Sequence, residues 1–402
     1  MRVRHLALLL LLAAAGCLSP VDPGKSGIAA VRATIGDGGF TSDTIQVRAT
    51  TRIRAAALAA EGYDLGLTDF AYSSSNAGVA TVDANGTVRG VAPGSATITA
   101  TAPGGKSASV SVLVVPSTIA YKIAVGGSPG PIAFSTDYTR AYVATANDSL
   151  VVVDALGFFR TSVAYIGAPA YSLAATATDL YVSHAFVDSV SRVGTANTQL
   201  AGRVFAGAGP SGLAATATRS YVAARYDRRV TIVEGGAVAG SVLLAGEPHD
   251  LAIAGGTLFA TVEGASGWRV AMIDLTSGDT TGTFPIAASP TAIATSASGD
   301  RVYLLYPGEQ LVRAYARPAG GAYALQGTVA TGANPGGIAA RHAGSIPYVV
   351  VSGEPATIFD GVTLQVYDRI AGAGNGPVAM RPDGLFAFIA APGTSFVNVL
   401  GL

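Results

Sequence analysis

Five places in this 402-residue chain carry side chains able to do chemistry. His249 and Asp250 stand side by side, the pairing of an imidazole general base with a carboxylate that could steer it. Arg225-Tyr226-Asp227-Arg228-Arg229 puts three guanidinium groups into five residues, enough to grip a phosphate or carboxylate bidentately, or to solvate a hairpin tip. Trp268, the one Trp, offers a stacking surface for a sugar or aromatic ligand, or a cover for an apolar edge; Tyr306 is a second aromatic candidate. Cys17 is the one thiol. His184, His249 and His342 fall far apart, with no HxH or HxxxH spacing, so no metal site is expected.

Several chemistries are excluded by what these residues lack. The chain has no Gly-x-Ser-x-Gly elbow and no phosphate-binding loop, so neither a serine-esterase turn nor nucleotide binding is indicated. With Cys17 alone there is no disulfide or zinc–thiolate framework. Twenty-five basic residues balance 25 acidic ones, which gives no bulk charge to attract nucleic acid. No cofactor is expected.

The elements that must position these groups are strands. Half the residues are apolar, only 12% are charged, and 51 are Gly, a composition suited to many short strands joined by tight turns. Residues 1–17 differ: Arg2 and Arg4 precede the apolar run Leu6 to Ala15, which is too short to span a bilayer as a helix and reads as a secretory signal. Ala14-Ala15-Gly16-Cys17 resembles a bacterial lipobox, which implies acylation of Cys17 and a membrane anchor; the alternative is ordinary cleavage near Ala15. Leu18 in place of Asp resembles lipoproteins passed on to an outer membrane, on its periplasmic or cell-surface side. Residues 18–27, with two Pro, two Gly and two Ser, read as a tether.

From 28 to 115, apolar and polar residues alternate in Thr44 to Thr50, Val79 to Val82, Ala96 to Ala102 and Ala108 to Val114, the pattern of half-buried strands in a β-sandwich. Asn85-Gly86 supplies a hairpin turn. Ser73-Ser74-Ser75-Asn76, Val79-Ala80-Thr81-Val82-Asp83, Val91-Ala92-Pro93-Gly94 and Ala96-Thr97-Ile98-Thr99-Ala100 resemble the bacterial immunoglobulin-like domain of group 2. That resemblance implies a spacer or adhesion module with no catalysis. Tyr72 stands where the family usually has Trp, and Leu58 to Thr68 is irregular.

Residues 119–402 repeat themselves. An aliphatic-Ala pair recurs at Ile132, Leu173, Leu213, Leu251, Ile293, Ile338 and Val378, at spacings of 41, 40, 38, 42, 45 and 40 residues. Each pair follows a turn and precedes two further strands, and a period near 40 built of short strands marks propeller blades. Tyr142-Val143, Tyr181-Val182, Tyr221-Val222 and Tyr348-Val349, with the hairpin Arg381-Pro382-Asp383-Gly384, resemble the YVTN repeat of seven-bladed β-propellers. Tyr121 to Val125 has the pattern of a fourth, outer strand with no blade before it, so it is expected beside Phe396 to Leu400, closing the ring and hiding an edge. The fold class is therefore all-β: an immunoglobulin-like sandwich followed by a seven-bladed propeller closed by an N-terminal outer strand.

In that order the loops entering the first strand and those joining the second to the third share one face. Arg225, Tyr226, Arg228, Arg229, His249, Asp250, Trp268 and Tyr306 all fall on it, which makes it the expected binding face. The reading is an exported cell-envelope protein that binds or scaffolds an unknown protein or small ligand and is not an enzyme. Some propellers resembling YVTN proteins are lactonases, so hydrolysis by His249 and Asp250 is the alternative; quinone-cofactor propellers repeat a Trp in every blade, which this chain does not.

Overall fold

The computed structural model describes residues 27–402 apart from 37, 48, 92–93, 116–117, 185–186, 320 and 343–346. Cys17, the leader and all but the last residue of the expected tether lie outside the described residues. The chain divides into two compact units, up to Val115 and from Pro116 onward. Among the described residues the one helical element is a three-residue 3-10 turn, Pro307–Glu309.

Among the described residues the first unit holds two four-stranded sheets. One runs Ala30–Ile35, Thr50–Leu58, Thr87–Gly90, Ala80–Val82; the other runs Ser42–Gln46, Ser107–Val115, Gly94–Thr101, Ala71–Ser74. Ser42–Gln46 pairs parallel with Ser107–Val115, and the remaining pairs are antiparallel. Alternation does here what the sequence suggests: Val110, Val112 and Val114 are buried, as are Ala96, Ile98 and Ala100, while the residues between them face out. The hairpin at Asn85-Gly86 is fixed by Asp83, whose carboxylate accepts the N–H groups of Asn85 and Thr87, both at 2.8 Å. Gly86 sits at φ 76°, and a Cβ there would come within 2.8 Å of the Ile53 carbonyl oxygen, so the turn requires glycine twice over. The irregular stretch after Leu58 carries only an isolated bridge from Leu58 to Asp64 before Ala71.

Among the described residues the second unit contains seven four-stranded antiparallel sheets. The first six each take four consecutive strands, beginning at Pro129–Phe134, Ser172–Ala175, Pro210–Ala215, Glu247–Ala254, Ala292–Thr295 and Ile338–Ala340. The seventh takes Val378–Met380, Phe386–Ala391 and Phe396–Gly401, and its fourth strand is Ile119–Ala124, from the other end of the unit. That strand pairs antiparallel with Phe396–Gly401 from Phe396↔Ala124 to Leu400↔Ile119, the place the sequence assigns to it. First strands touch in succession, and the first sheet meets the seventh, so the sheets form a closed cycle.

Burial explains why the middle strands read as continuous apolar runs. Arg140–Thr145, Arg219–Ala224 and Phe386–Ala391 are buried at every position after the first, because sheets cover both faces. Fourth strands such as Phe159–Tyr165 stay largely exposed. The repeated Tyr belongs to this core: Tyr142, Tyr181, Tyr303 and Tyr348 are fully buried, and the Tyr303 hydroxyl donates 2.9 Å to the Gly361 carbonyl of the next sheet. At the closure, buried Arg381 donates 2.8 Å to the carbonyl of Ala155 in the first sheet while Asp383 pairs with it at 2.7 Å.

Candidate functional site

The candidate residues sit where the repeat departs from itself. In three sheets the first strand carries a β-bulge just ahead of the aliphatic-Ala pair, between Pro129 and Ile132, Pro210 and Leu213, and Pro248 and Leu251. A bulge adds a residue and re-aims the side chains it contains. In the first and third sheets those residues are Gly130-Pro131 and Ser211-Gly212, and in the fourth they are His249-Asp250. Only there does the bulge aim ionisable groups.

It aims them at different neighbours, and no His249–Asp250 dyad forms. The Asp250 carboxylate accepts the N–H of Leu251 at 3.0 Å and, from the adjacent sheet, that of Ile293 at 3.1 Å. Ser172 has the same role two sheets earlier, its hydroxyl oxygen accepting the N–H of Leu213 at 3.2 Å. Asp250 is thus a tie between sheets. It also lines a cavity of about 290 Å³ ringed by residues in or just before the first strands, including Pro131, Ser172, Ile293, Gly337 and Pro377. Burial pushes its carboxyl up to about 6, against the pull of the two amides. Tyr171, at the same cavity, has its hydroxyl raised by burial and then by the charge of Asp250. His249 is not among the residues lining the cavity.

His249 belongs instead to a cluster at the sheet edge. Its Nε2–H donates 3.1 Å to Glu263, and its ring lies 4.6 Å from that of Trp268. Glu263 stands directly across from Glu247 on one side and Trp268 on the other. Arg225 reaches in from the third sheet, 3.2 Å from Glu247 and 3.9 Å from Glu263. Burial lowers the imidazole pKa and the Arg225 charge lowers it further, with Glu263 opposing both. Beyond its contact with His249, Trp268 packs against the apolar core that includes Phe259 and Val270.

Two of the three guanidinium groups in the arginine run have carboxylate partners. Arg225 is paired with two glutamates, and Arg229 lies 3.7 Å from Asp227, whose carboxylate also accepts the Ala208 N–H. Arg228 is exposed in the turn at φ 54°. Tyr226 is 65% exposed with its ring over Gly209, where a Cβ would meet it at 2.6 Å. Tyr306 corrects the expectation that it lies on the binding face: it is buried, with the Arg313 guanidinium 4.3 Å from its ring centre, because it ends a strand rather than opening a loop. Burial raises its hydroxyl pKa.

The other two histidines among the described residues are structural. His184 is buried; its Nδ1–H donates 3.0 Å to the Pro169 carbonyl, so its Nε2 accepts from Ser191 at 2.8 Å. His342 Nε2–H donates 2.8 Å to the carbonyl of Thr295.

The fold also creates a surface feature that the repeat pattern does not announce. The last residues of the fourth strands, each opposite one of the first three residues of its third strand, are Tyr165, Phe205 and Leu243 in the first three sheets. They are 67%, 67% and 76% exposed. The equivalent residues elsewhere are Pro285, Ala330, buried Ile370 and Ala124. Aligning the strand ends, instead of the aliphatic-Ala pairs, would have exposed this row.

Residues 40–112 match the bacterial Ig-like domain (group 2). No curated protein matches the chain in sequence. Among solved structures the fold is similar to one titled Kuenenia stuttgartiensis hydrazine synthase, at 20% identity and TM-score 0.58, over 68% of this chain and 96% of that one. It is also similar to the β-propeller domain of Cps50 (Swd1) from Myceliophteria thermophila, at 12% identity and TM-score 0.59, over 71% of this chain and all of that one. At such identities the likeness is one of fold: the chain is all-β, with a bacterial Ig-like domain and a propeller-like remainder.

Proposed function

We propose that this is an exported cell-envelope protein, anchored through acylated Cys17, in which the Ig-like sandwich holds a seven-bladed propeller of YVTN type off a membrane so that one rim docks a partner protein. The row Tyr165, Phe205 and Leu243 carries this reading. Three large apolar side chains exposed at one repeated position, in three consecutive sheets and not in the other four, support the reading of this edge as an interaction surface. They lie at the edge where the second strand turns into the third, the edge that also bears Tyr226 and the charged cluster of Arg225, Glu247 and Glu263. Exposed aromatics beside arginines in a charge-balanced rim suit a protein surface better than a phosphate.

Two experiments test it. Changing Tyr165, Phe205 and Leu243 together to Ser should abolish the partner that co-purifies after in-cell crosslinking while leaving the fold's circular dichroism intact; an unchanged partner rejects the rim. Cys17→Ser should move the protein from the membrane to the soluble fraction, and unchanged fractionation rejects the anchor.

A further inference from the structure

We propose that Glu247, His249 and Glu263 form a site for a zinc-class divalent cation, with the Arg225 guanidinium as the counter-charge that the metal must displace. The inference is independent of the docking reading and stands if no partner binds the rim.

One ligating atom from each of the three residues lies within 4.8 Å of the others. A tetrahedral ion with bonds near 2.1 Å needs its ligands about 3.4 Å apart, so rotation of the two glutamate side chains closes the difference. The register supplies the ligands: Glu247 and Glu263 are cross-strand partners, and the bulge at His249 brings the imidazole to Glu263 at 3.1 Å. Trp268, directly across from Glu263, lies against the imidazole ring at 4.6 Å and backs it. Two like charges placed opposite each other on neighbouring strands repel unless a cation lies between them. In the structure Arg225 does this incompletely, at 3.2 Å from one carboxylate and 3.9 Å from the other, with 36% of its side chain exposed and so able to swing outward. Glu263 is 47% exposed, which leaves a solvent side for a water or an exogenous ligand to complete the coordination.

An imidazole with two carboxylates favours Zn²⁺ and Co²⁺ over Mg²⁺ and Ca²⁺, whose sites are built of oxygen alone. The metal takes the place of the Nε2 proton that Glu263 now accepts; by exchange with solvent the ring carries its proton on Nδ1 instead, so the imidazole binds neutral with no net proton released.

The chain's single Trp lies against the site, which gives a local reporter. Tag-free full-length protein, stripped with chelator, is titrated with Co²⁺ while Trp268 emission is followed, and stoichiometry is measured by calorimetry. The expected result is saturable quenching at one ion per chain, relieved by Zn²⁺ and not by millimolar Mg²⁺. His249→Gln and Glu263→Gln should each weaken binding by at least about tenfold to a hundredfold, the cost of losing even an outer-shell partner. Arg225→Ala should tighten it by roughly tenfold, because a cation next to the metal is removed. Circular dichroism establishes that each variant is folded. Absence of saturable quenching in both wild type and Arg225→Ala overturns the site, as does quenching that survives in both ligand variants. An Arg225→Ala affinity equal to wild type overturns the counter-charge role.

Discussion

Replacing Arg381 by Met tests how the ring of sheets is shut. The substitution keeps the aliphatic stem and removes the guanidinium, which is buried at 5% exposure, donates 2.8 Å to the Ala155 carbonyl across the junction of the seventh and first sheets, and lies 4.4 Å from the Phe386 ring centre. A hydrogen bond from a charged donor contributes about 1.5–3 kcal/mol, and the stranded carbonyl adds a penalty on the same scale. The contact with Phe386 adds about 0.5–2 kcal/mol. Loss of the pair with Asp383 adds little to this, since Asp383 is a third exposed and its carboxylate still accepts the Leu385 N–H. A net destabilisation of about 3 kcal/mol is expected. Trp268, the only Trp, lies in the second unit, so urea unfolding followed by its emission reads that unit alone. Arg219→Met is the control: Arg219 pairs with Glu234 at 2.8 Å, but both are over two-fifths exposed, so its unfolding midpoint should stay at the wild-type value. Equal midpoints for Arg381→Met and wild type, or equal losses in the two variants, would refute the claim that this buried arginine ties the ring closed.

Three further outcomes are expected. His184 is held neutral because burial lowers its pKa below 6.5, so the unfolded chain binds a proton that the folded chain refuses. Its contribution is intact above pH 6.5 and is lost as pH falls below that value; in His184→Gln, urea midpoints measured from pH 7 to 5 should fall less steeply than in wild type. Tyr303→Phe removes the hydroxyl bonded to the Gly361 carbonyl and should cost about 1–2 kcal/mol by the same emission assay. Gly86→Ala forces a Cβ against the Ile53 carbonyl at φ 76° and should destabilise the first unit by about 1–3 kcal/mol, while Gly104→Ala, with nothing within 4 Å, costs less; thermal melts by circular dichroism distinguish them.

The architecture was legible because its signals are local and repeated. Seven aliphatic-Ala pairs in register mark the first strands, and the unpartnered outer-strand pattern at Tyr121 to Val125 leads to its pairing with Phe396–Gly401. The chemistry was not, because its determinants are cross-strand. Adjacency suggests that His249 and Asp250 act together, but the bulge sends one to Glu263 and the other to the Ile293 amide. The run at Arg225 to Arg229 reads as basic because its counter-charges, Glu247 and Glu263, lie on other strands and are joined to it only by the fold. Tyr306 looks like a loop residue at the strand's end, yet packing against Arg313 buries it. Glu247 had no local signal at all, since only its register with Glu263 gives it a role.

In the proposed function, the edge bearing Tyr165, Phe205 and Leu243 is where a partner docks. Its most direct test is a photo-crosslinking residue placed in living cells at Phe205, and separately at exposed Thr276 in a turn on the opposite edge of the sheets. One discrete crosslinked protein is expected from position 205 and none from position 276. Crosslinks from position 276 alone, or from neither position, contradict it.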